Sequence, residues 1–471
     1  MAKTKLGLVT AWGECGMGYL AKNWVHTFDK YPDTIDYQIY SRAYPWLTPF
    51  RWKGPHVVDG PEQMEIDHPH FWKWVDDFKP DIILFQDQNI YGNSEMHQET
   101  ERLKKLGIKL INYPDWIKRG DVEKYVGLYH INLSHVERNH KWLVDANVEN
   151  PTFVPWGVIL KNFPFVERKM KDKIIFYINL GTGTLRKGYP SIPKALEAMK
   201  GKFLQRLINP KIHDYSFIAS AVENSEHRVK KSFVKYFNNN PQCEMRFQTA
   251  DNSTGGLFST GDVYIYPTIK EGVGLTITEA MCTGMPVVTT DYPTMNEWID
   301  DNIEGRLIKP KKIKNGSMPM DKVIINPKHL AEIMIDYIDN PRKVTDHSHN
   351  ARKRIEADYN WDDRDKQILY VIPESIGDVF LATSVIDSLK RVYPKYNIYV
   401  GTKPEHFEIL ENNPNIHKII PYIPEMDNQT LMEGAGKNKG FFELSFHGYL
   451  AIQRYLDYLH QGDKDIIELE L

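Results

Sequence analysis

Three things are scarce in this 471-residue chain, and each scarcity excludes a class of protein. Cysteine occurs only as Cys15, Cys243 and Cys282, far apart and never as C-x-x-C. That spacing excludes a disulfide framework or a cysteine-rich zinc scaffold, and a reducing, cytoplasmic setting is expected. No apolar run approaches the roughly 18 residues needed to span a bilayer. The opening "MAKTKLGLVTAWGECGMGYLA" superficially resembles a signal peptide, but Glu14 interrupts its apolar part. A strand, a glycine turn and a helix account for it better. Nor is one sign of charge in excess: 59 Lys and Arg stand against 62 Asp and Glu, a net charge of −3. Nothing therefore draws the whole molecule toward nucleic acid.

What is present is a globular composition, 41% hydrophobic and 26% charged, in a chain long enough for two or three domains. Residues 1–157 read as alternating strands and helices. "KLGLVTAW", "KPDIILFQD" (79–87) and "GIKLINYPD" (107–115) have the apolar runs of buried parallel strands. The aromatic-rich segment 41–74 has no clear period and is expected to form loops and short helices. "FVPWGVIL" (153–160) reads as a crossing between domains. A second alternation, with strands at "KIIFYINLG" (173–181), "YSFIAS", "DVYIYPT" (262–268) and "PVVTT" (286–290), makes residues 158–365 a second domain. At residue 366 a further strand, glycine turn, helix and strand begin. The stretch 366–471 is long enough for half of a doubly wound domain only. The expected class is α/β, with parallel sheets and crossover helices.

The densest chemistry lies in "EGVGLTITEAMCTGMPVVTTD" (271–291), directly after a predicted strand. Ligands of open α/β sheets bind beyond the carboxyl ends of the strands. Gly272 and Gly274 let backbone amides approach an anion, and Val273 and Leu275 belong to the same turn. The helix starting near Leu275 adds its positive end, and Thr276 and Thr278 add hydroxyls. Glu279 is placed to accept from the two hydroxyls of a ribose, and Glu271 from those of a second sugar. A diphosphate cradle flanked by two diol-binding carboxylates suits a sugar nucleotide.

The E-G-x-G-L turn, the E-A-M-x-x-G-x-P-V-V helix and strand, and the following "TTDYPTMNEW" resemble the E-x7-E signature of family 4 retaining glycosyltransferases. The resemblance implies a GT-B fold, two Rossmann-like domains facing across a cleft, with the donor mainly on the second. It implies that Arg186 and Lys187, in "INLGTGTLRKGYPSI", bind the donor's diphosphate, although the family usually separates this pair by several residues. With these cations and a helix end at the leaving phosphate, no metal or other cofactor is required. Arg186, Lys187 and Glu271 are thus the catalytic candidates. The D-x-D pairs at 363–365 and 463–465 are read as solvated charges. The resemblance also sets Gly16 and Gly18, in "AWGECGMGYL", under the donor and acceptor, a place that a tight structural turn explains equally well.

On the acceptor side the candidates are Asp115, His130 and His135, with Trp46, Trp52, Trp72 and Trp74 as stacking surfaces that core packing explains as well. A polysaccharide, a lipid-linked glycan, a protein and modified DNA all stay open as acceptor, and the run "KPKKIK" (309–314) reads as a solvated loop. "ESIGDVFLATSVIDSLKRVYPKYNIYVGT" resembles the start of family 9, heptosyltransferase-type glycosyltransferases, whose candidate base maps to Asp378. This module is expected to pack, to interact or to be an acceptor-binding remnant rather than to catalyse. The expected activity is metal-independent, retaining transfer from a nucleotide-diphospho-sugar. A sugar-nucleotide epimerase or hydrolase of the same fold, and a catalytically idle nucleotide-sugar or polymer-binding protein, are the alternatives.

Overall fold

The computed structural model describes residues 3–447 apart from 46, 48–49, 64, 87–93, 116, 118, 170–172, 206–214, 249–255, 315–321, 364–365, 374, 395, 424–425, 427–441 and 443. Trp46 and the acidic pair 463–465 lie outside the described residues, as do two of the three positions 363–365. The chain divides into two compact units, Met1–Trp361 and Asp362–Leu471.

Unit 1 holds two parallel sheets. The first is built from β1 (Thr4–Thr10), β2 (Ile35–Ala43), β3 (Val57–Glu62), β4 (Ile82–Gln86), β5 (Lys109–Tyr113), β6 (Ile131–Ser134) and β7 (Pro151–Phe153), in the order β3-β2-β1-β4-β5-β6-β7. Its helices are α1 (Gly16–Phe28), α2 (His68–Phe78), α3 (Ser94–Lys105) and α4 (Glu137–Asp145). Segment 41–74, expected as loops and short helices, instead carries strand β3 and most of α2. The Asp67 side chain caps α2, accepting from the His70 N–H at 2.8 Å, and Lys79 ends it in a left-handed conformation.

The second sheet repeats the plan with β8 (Ile174–Asn179), β9 (Tyr215–Ala221), β10 (Cys243–Phe247), β11 (Val263–Tyr266), β12 (Val287–Thr290) and β13 (Gly305–Ile308), ordered β10-β9-β8-β11-β12-β13. Around it lie α5 (Ile192–Gln205), α6 (Lys231–Asn238), α7 (Leu275–Cys282), the β14 (Lys312–Lys314) and β15 (Lys322–Ile324) hairpin, α8 (Pro327–Asp339) and α9 (Arg342–Asp358). Part of the "KPKKIK" run is thus strand β14 rather than loop. Each sheet reverses direction once, at β1/β4 and at β8/β11, and these switch points are where open sheets bind ligands.

One apolar core runs through both sheets, including Leu8, Tyr113 and Trp156 of the first and Tyr264, Ile277 and Trp298 of the second. Each such fully buried side chain contributes about 1.5–3 kcal/mol over its exposed state. After α9 the chain returns to the first sheet. Val158 and Tyr359–Trp361 exchange backbone hydrogen bonds of 2.7 and 2.9 Å, and the Trp361 indole donates to the Thr27 hydroxyl at 2.9 Å.

Unit 2 has a four-stranded parallel sheet, ordered β18-β17-β16-β19, from β16 (Gln367–Val371), β17 (Asn397–Thr402), β18 (Lys418–Pro421) and β19 (Leu444–His447). Helix α10 (Ile376–Val392) follows β16, and the short α11 (Phe407–Leu410) follows β17. Asp378 closes a capping box with Ser375 at the start of α10. Its carboxylate accepts from the Ser375 N–H at 3.2 Å and hydroxyl at 2.7 Å, a helix-stabilising role.

Candidate active site

The two loops leaving the β8/β11 switch point are stitched together. After β8, glycines at 181 and 183 take positive φ, and a turn at Leu185–Lys187 ends in Gly188. Gly188 has φ +66°, and a Cβ there would fall 1.7 Å from the Pro267 carbonyl oxygen just past β11. Only glycine permits both the handedness and the approach. The Ile269 N–H then donates to the Arg186 carbonyl at 2.9 Å, and the Thr268 hydroxyl oxygen lies 3.0 Å from the same carbonyl oxygen. The Arg-Lys pair is thereby fixed beside the Glu271 turn.

Lys187 is buried, with its ammonium donating to the Asn179 carbonyl at 3.3 Å and lying 5.3 Å from the centre of the Tyr266 ring. Burial, with Arg186 adding repulsion, pulls its pKa down to about 8, although Glu271 and Glu279 pull the other way. Arg186 forms an ion pair with the Glu271 carboxylate and donates to the Lys270 carbonyl at 3.3 Å. Glu271 is buried and also accepts from the Tyr266 phenol and, at 3.0 Å, from the Thr268 hydroxyl. Burial alone would raise its pKa. Arg186, the Tyr266 hydrogen bond and Lys187 outweigh it, so Glu271 sits below the ordinary carboxylate value and is ionised. The carboxylate expected to hold a second diol is therefore ringed by three donors of the protein itself.

Glu279, one turn into α7, is partly exposed. Burial of its carboxyl raises the pKa to about 8, and Lys187 offsets this only in part. Gly274 precedes the helix at φ +84°, while the Val273 carbonyl accepts from the Trp298 indole at 2.8 Å. Leu275 begins the helix, half-buried. The Thr278 hydroxyl does not face a ligand freely. Thr278 donates back to the Leu275 carbonyl at 3.0 Å, and Thr276 lies against the phenols of Tyr264 and Tyr266.

The first sheet completes the site. Asp115, two residues past β5, rests against Gly272 so closely that a Cβ there would lie 2.4 Å from both carboxylate oxygens. Burial raises the Asp115 pKa to about 7, with Arg138 opposing and Glu271 reinforcing. Arg138, in the first turn of α4, reaches the Glu271 carbonyl with both terminal nitrogens at 3.4 Å. Glu297 accepts from the backbone N–H groups of Glu137 and Arg138 at 2.8 and 3.3 Å, and burial raises its pKa to about 7. Arg138, Asn139 and Glu297 were not among the sequence candidates. The available signal was a helix start directly after a strand, in "LSHVERNH".

The remaining candidates separate. Gly16 faces α7, the nearest atom to a Cβ there being Leu275 Cδ1 at 4.0 Å. Gly18 is structural: a Cβ would lie 2.0 Å from the Gly13 carbonyl oxygen. His130 precedes β6, at the amino-terminal ends of the strands, where its Nδ1 accepts from the Leu110 N–H at 2.9 Å. His135 follows β6 but is buried among Trp24, Tyr113, Trp156 and Trp361, with Nδ1 2.5 Å from the Val154 carbonyl oxygen. Trp72 and Trp74 are core residues. Trp52 is tied to Glu14 through its indole N–H at 2.6 Å and lies under the Lys22 ammonium at 3.5 Å.

Comparison with known proteins agrees with this geometry. Residues 160–354 match the family model described as "Glycosyl transferases group 1". Over 103 residues the chain is 33% identical to a sucrose synthase of Denitrovibrio acetiphilus, a stretch covering 21% of this chain and 11% of that protein. Sucrose-phosphate synthase from Thermosynechococcus elongatus superposes with a TM-score of 0.56 at 14% identity, covering 77% of this chain and 96% of that one. Anabaena Alr3699/HepE, solved with UDP and glucose, superposes at 0.53 with 13% identity, covering 77% and 97%. The fold is GT-B. Among the described residues no helix is long and apolar enough to cross a membrane.

Proposed function

We propose that the protein is a glycosyltransferase that moves a sugar from a nucleotide-diphospho-sugar to an acceptor hydroxyl, with retention of configuration and without a metal. The observation that carries this reading is the convergence of Lys187, Glu271, Glu279 and the Gly272–Gly274 turn at the β8/β11 switch point, inside the segment that matches the group 1 model. Departure of a nucleoside diphosphate builds negative charge on phosphate and cationic character on the sugar. Lys187 and the start of α7 stabilise that phosphate charge where it develops. Arg186 acts chiefly on Glu271, holding it ionised toward the sugar side. Glu279 accepts from the ribose diol, which requires it to lose the proton that its raised pKa favours at neutral pH. Asp115 faces the transferred sugar. The three free cysteines support a reducing, cytoplasmic setting. Acceptors of two classes, a glycan hydroxyl or a hydroxyl of modified DNA, suit this chemistry. The UDP and glucose seen with Alr3699/HepE make UDP-sugars the first donors to test.

The test is thermal denaturation of the protein and of Glu279→Ala with a panel of nucleoside diphosphates and their sugars. A ligand at a hundred times its Kd adds about 2.7 kcal/mol of stability. A selective shift lost in Glu279→Ala supports the assignment; no shift with any nucleotide refutes a competent donor site.

A further inference from the structure

We infer that Arg138 is a positioning residue that sets the orientation of the Glu271–Gly272 peptide and, with it, the direction in which the Gly272 N–H is offered to an anionic ligand. The inference rests on reading this turn as the donor cradle only where ligand binding is concerned.

Arg138 belongs to the first sheet's α4, yet its guanidinium acts on the second sheet's main chain. Both terminal nitrogens lie 3.4 Å from the Glu271 carbonyl oxygen, and Nη1 lies 3.3 Å from that of Pro293. The Thr294 hydroxyl donates to the same Glu271 oxygen at 3.4 Å. The peptide unit is planar and trans, so its C=O and N–H point opposite ways. Holding the 271 oxygen from the Arg138 side directs the Gly272 N–H away from it. Glycines on both sides of Val273 leave this turn little stiffness of its own, so the clamp supplies it.

The guanidinium is itself held. Asn139 Oδ1 accepts from Nε at 3.2 Å and Nη2 at 3.0 Å, and the Trp142 ring centre lies 5.1 Å away. Asn139 also donates to the Asp115 carbonyl at 3.0 Å, and Glu297 caps the helix on which both stand. A planar, rigid donor fork suits two carbonyl acceptors; a lysine ammonium in its place has the charge without the fork.

The test is amide hydrogen exchange of the full chain, read in peptides covering 268–280, for wild type, Arg138→Lys, Arg138→Met and Glu297→Gln. The expected result is at least fivefold faster exchange at the 272–274 amides in Arg138→Met, less in Arg138→Lys, and unchanged rates in β8 and β9. Glu297→Gln, which keeps the guanidinium but loosens the helix beneath it, should accelerate the same amides and serves if Arg138→Met does not fold. Wild-type rates at 272–274 in these variants overturn the inference. Calorimetric titration with UDP then separates it from the functional reading. If wild type binds UDP, Arg138→Met, where it folds, should bind at least tenfold more weakly, and equal affinity overturns the inference. If wild type does not bind UDP, UDP is not the donor nucleotide, while the exchange rates still decide the role of Arg138.

Discussion

Replacing Gly272 by alanine tests the contact on which the junction of the two sheets turns. The backbone tolerates the change, because Gly272 is not among the glycines held at positive φ. The new Cβ, however, would lie 2.4 Å from both Asp115 oxygens and 2.7 Å from Cγ, about 1 Å inside ordinary contact. What must yield is the end of a short side chain rather than a strand, so the cost to folding is modest, about 1–3 kcal/mol as for other overpacked sites. If Asp115 faces the bound donor as proposed, displacing it also lowers donor affinity, about tenfold for each 1.4 kcal/mol lost. Asp115→Ala removes the obstruction. The paired substitution should therefore be more stable than the sum of the single losses predicts, with a coupling of about 1–2 kcal/mol. Urea unfolding of wild type, both single variants and the double variant measures that coupling. Additive losses would mean that the carboxylate does not rest on Gly272, and the description of the junction would be wrong.

Gly188→Ala should be worse for the fold, since the left-handed backbone costs about 1–2 kcal/mol and the Pro267 carbonyl cannot swing aside. A stability loss under about 1 kcal/mol in urea would contradict this. Glu279 holds its proton up to about pH 8 in the folded state. Its contribution to stability is therefore full below the ordinary carboxylate range and lost as pH rises through 8. Glu279→Gln should flatten that fall between pH 6 and 8 in thermal denaturation, and a profile parallel to wild type would refute the shift. Lys187 has the opposite sign: with its pKa lowered to about 8, the unfolded state binds the extra proton between 8 and 10.5, so its contribution to stability rises over that window. If its ammonium stabilises the leaving diphosphate, transfer should decline above pH 8, and Lys187→Met should lower kcat at least a hundredfold with a smaller loss of donor affinity. Lost donor affinity with kcat unchanged would assign Lys187 to binding alone.

The sequence determined what depends on neighbours along the chain. β1, β4, β5, β8, β11 and β12 are short apolar runs closed by turn residues, and their burial is the cause of that composition. The left-handed Gly188 and Gly274, and α7 starting after the glycine turn, follow from local chemistry in the same way. Strands β3, β7 and β10 lie at sheet edges and are only partly buried, so they lack the apolar run that announces a strand. Tertiary structure alone decided how charges pair. It bound Arg186 to Glu271, pressed Asp115 onto Gly272, and left His130 at the amino-terminal ends of the strands while enclosing His135 in aromatics. Arg138 meets the carbonyl of a residue 133 positions later in the chain. A contact between a guanidinium and a main-chain oxygen leaves no periodicity, spacing or composition behind, because any residue offers that oxygen and only the packing of one sheet on the other selects which.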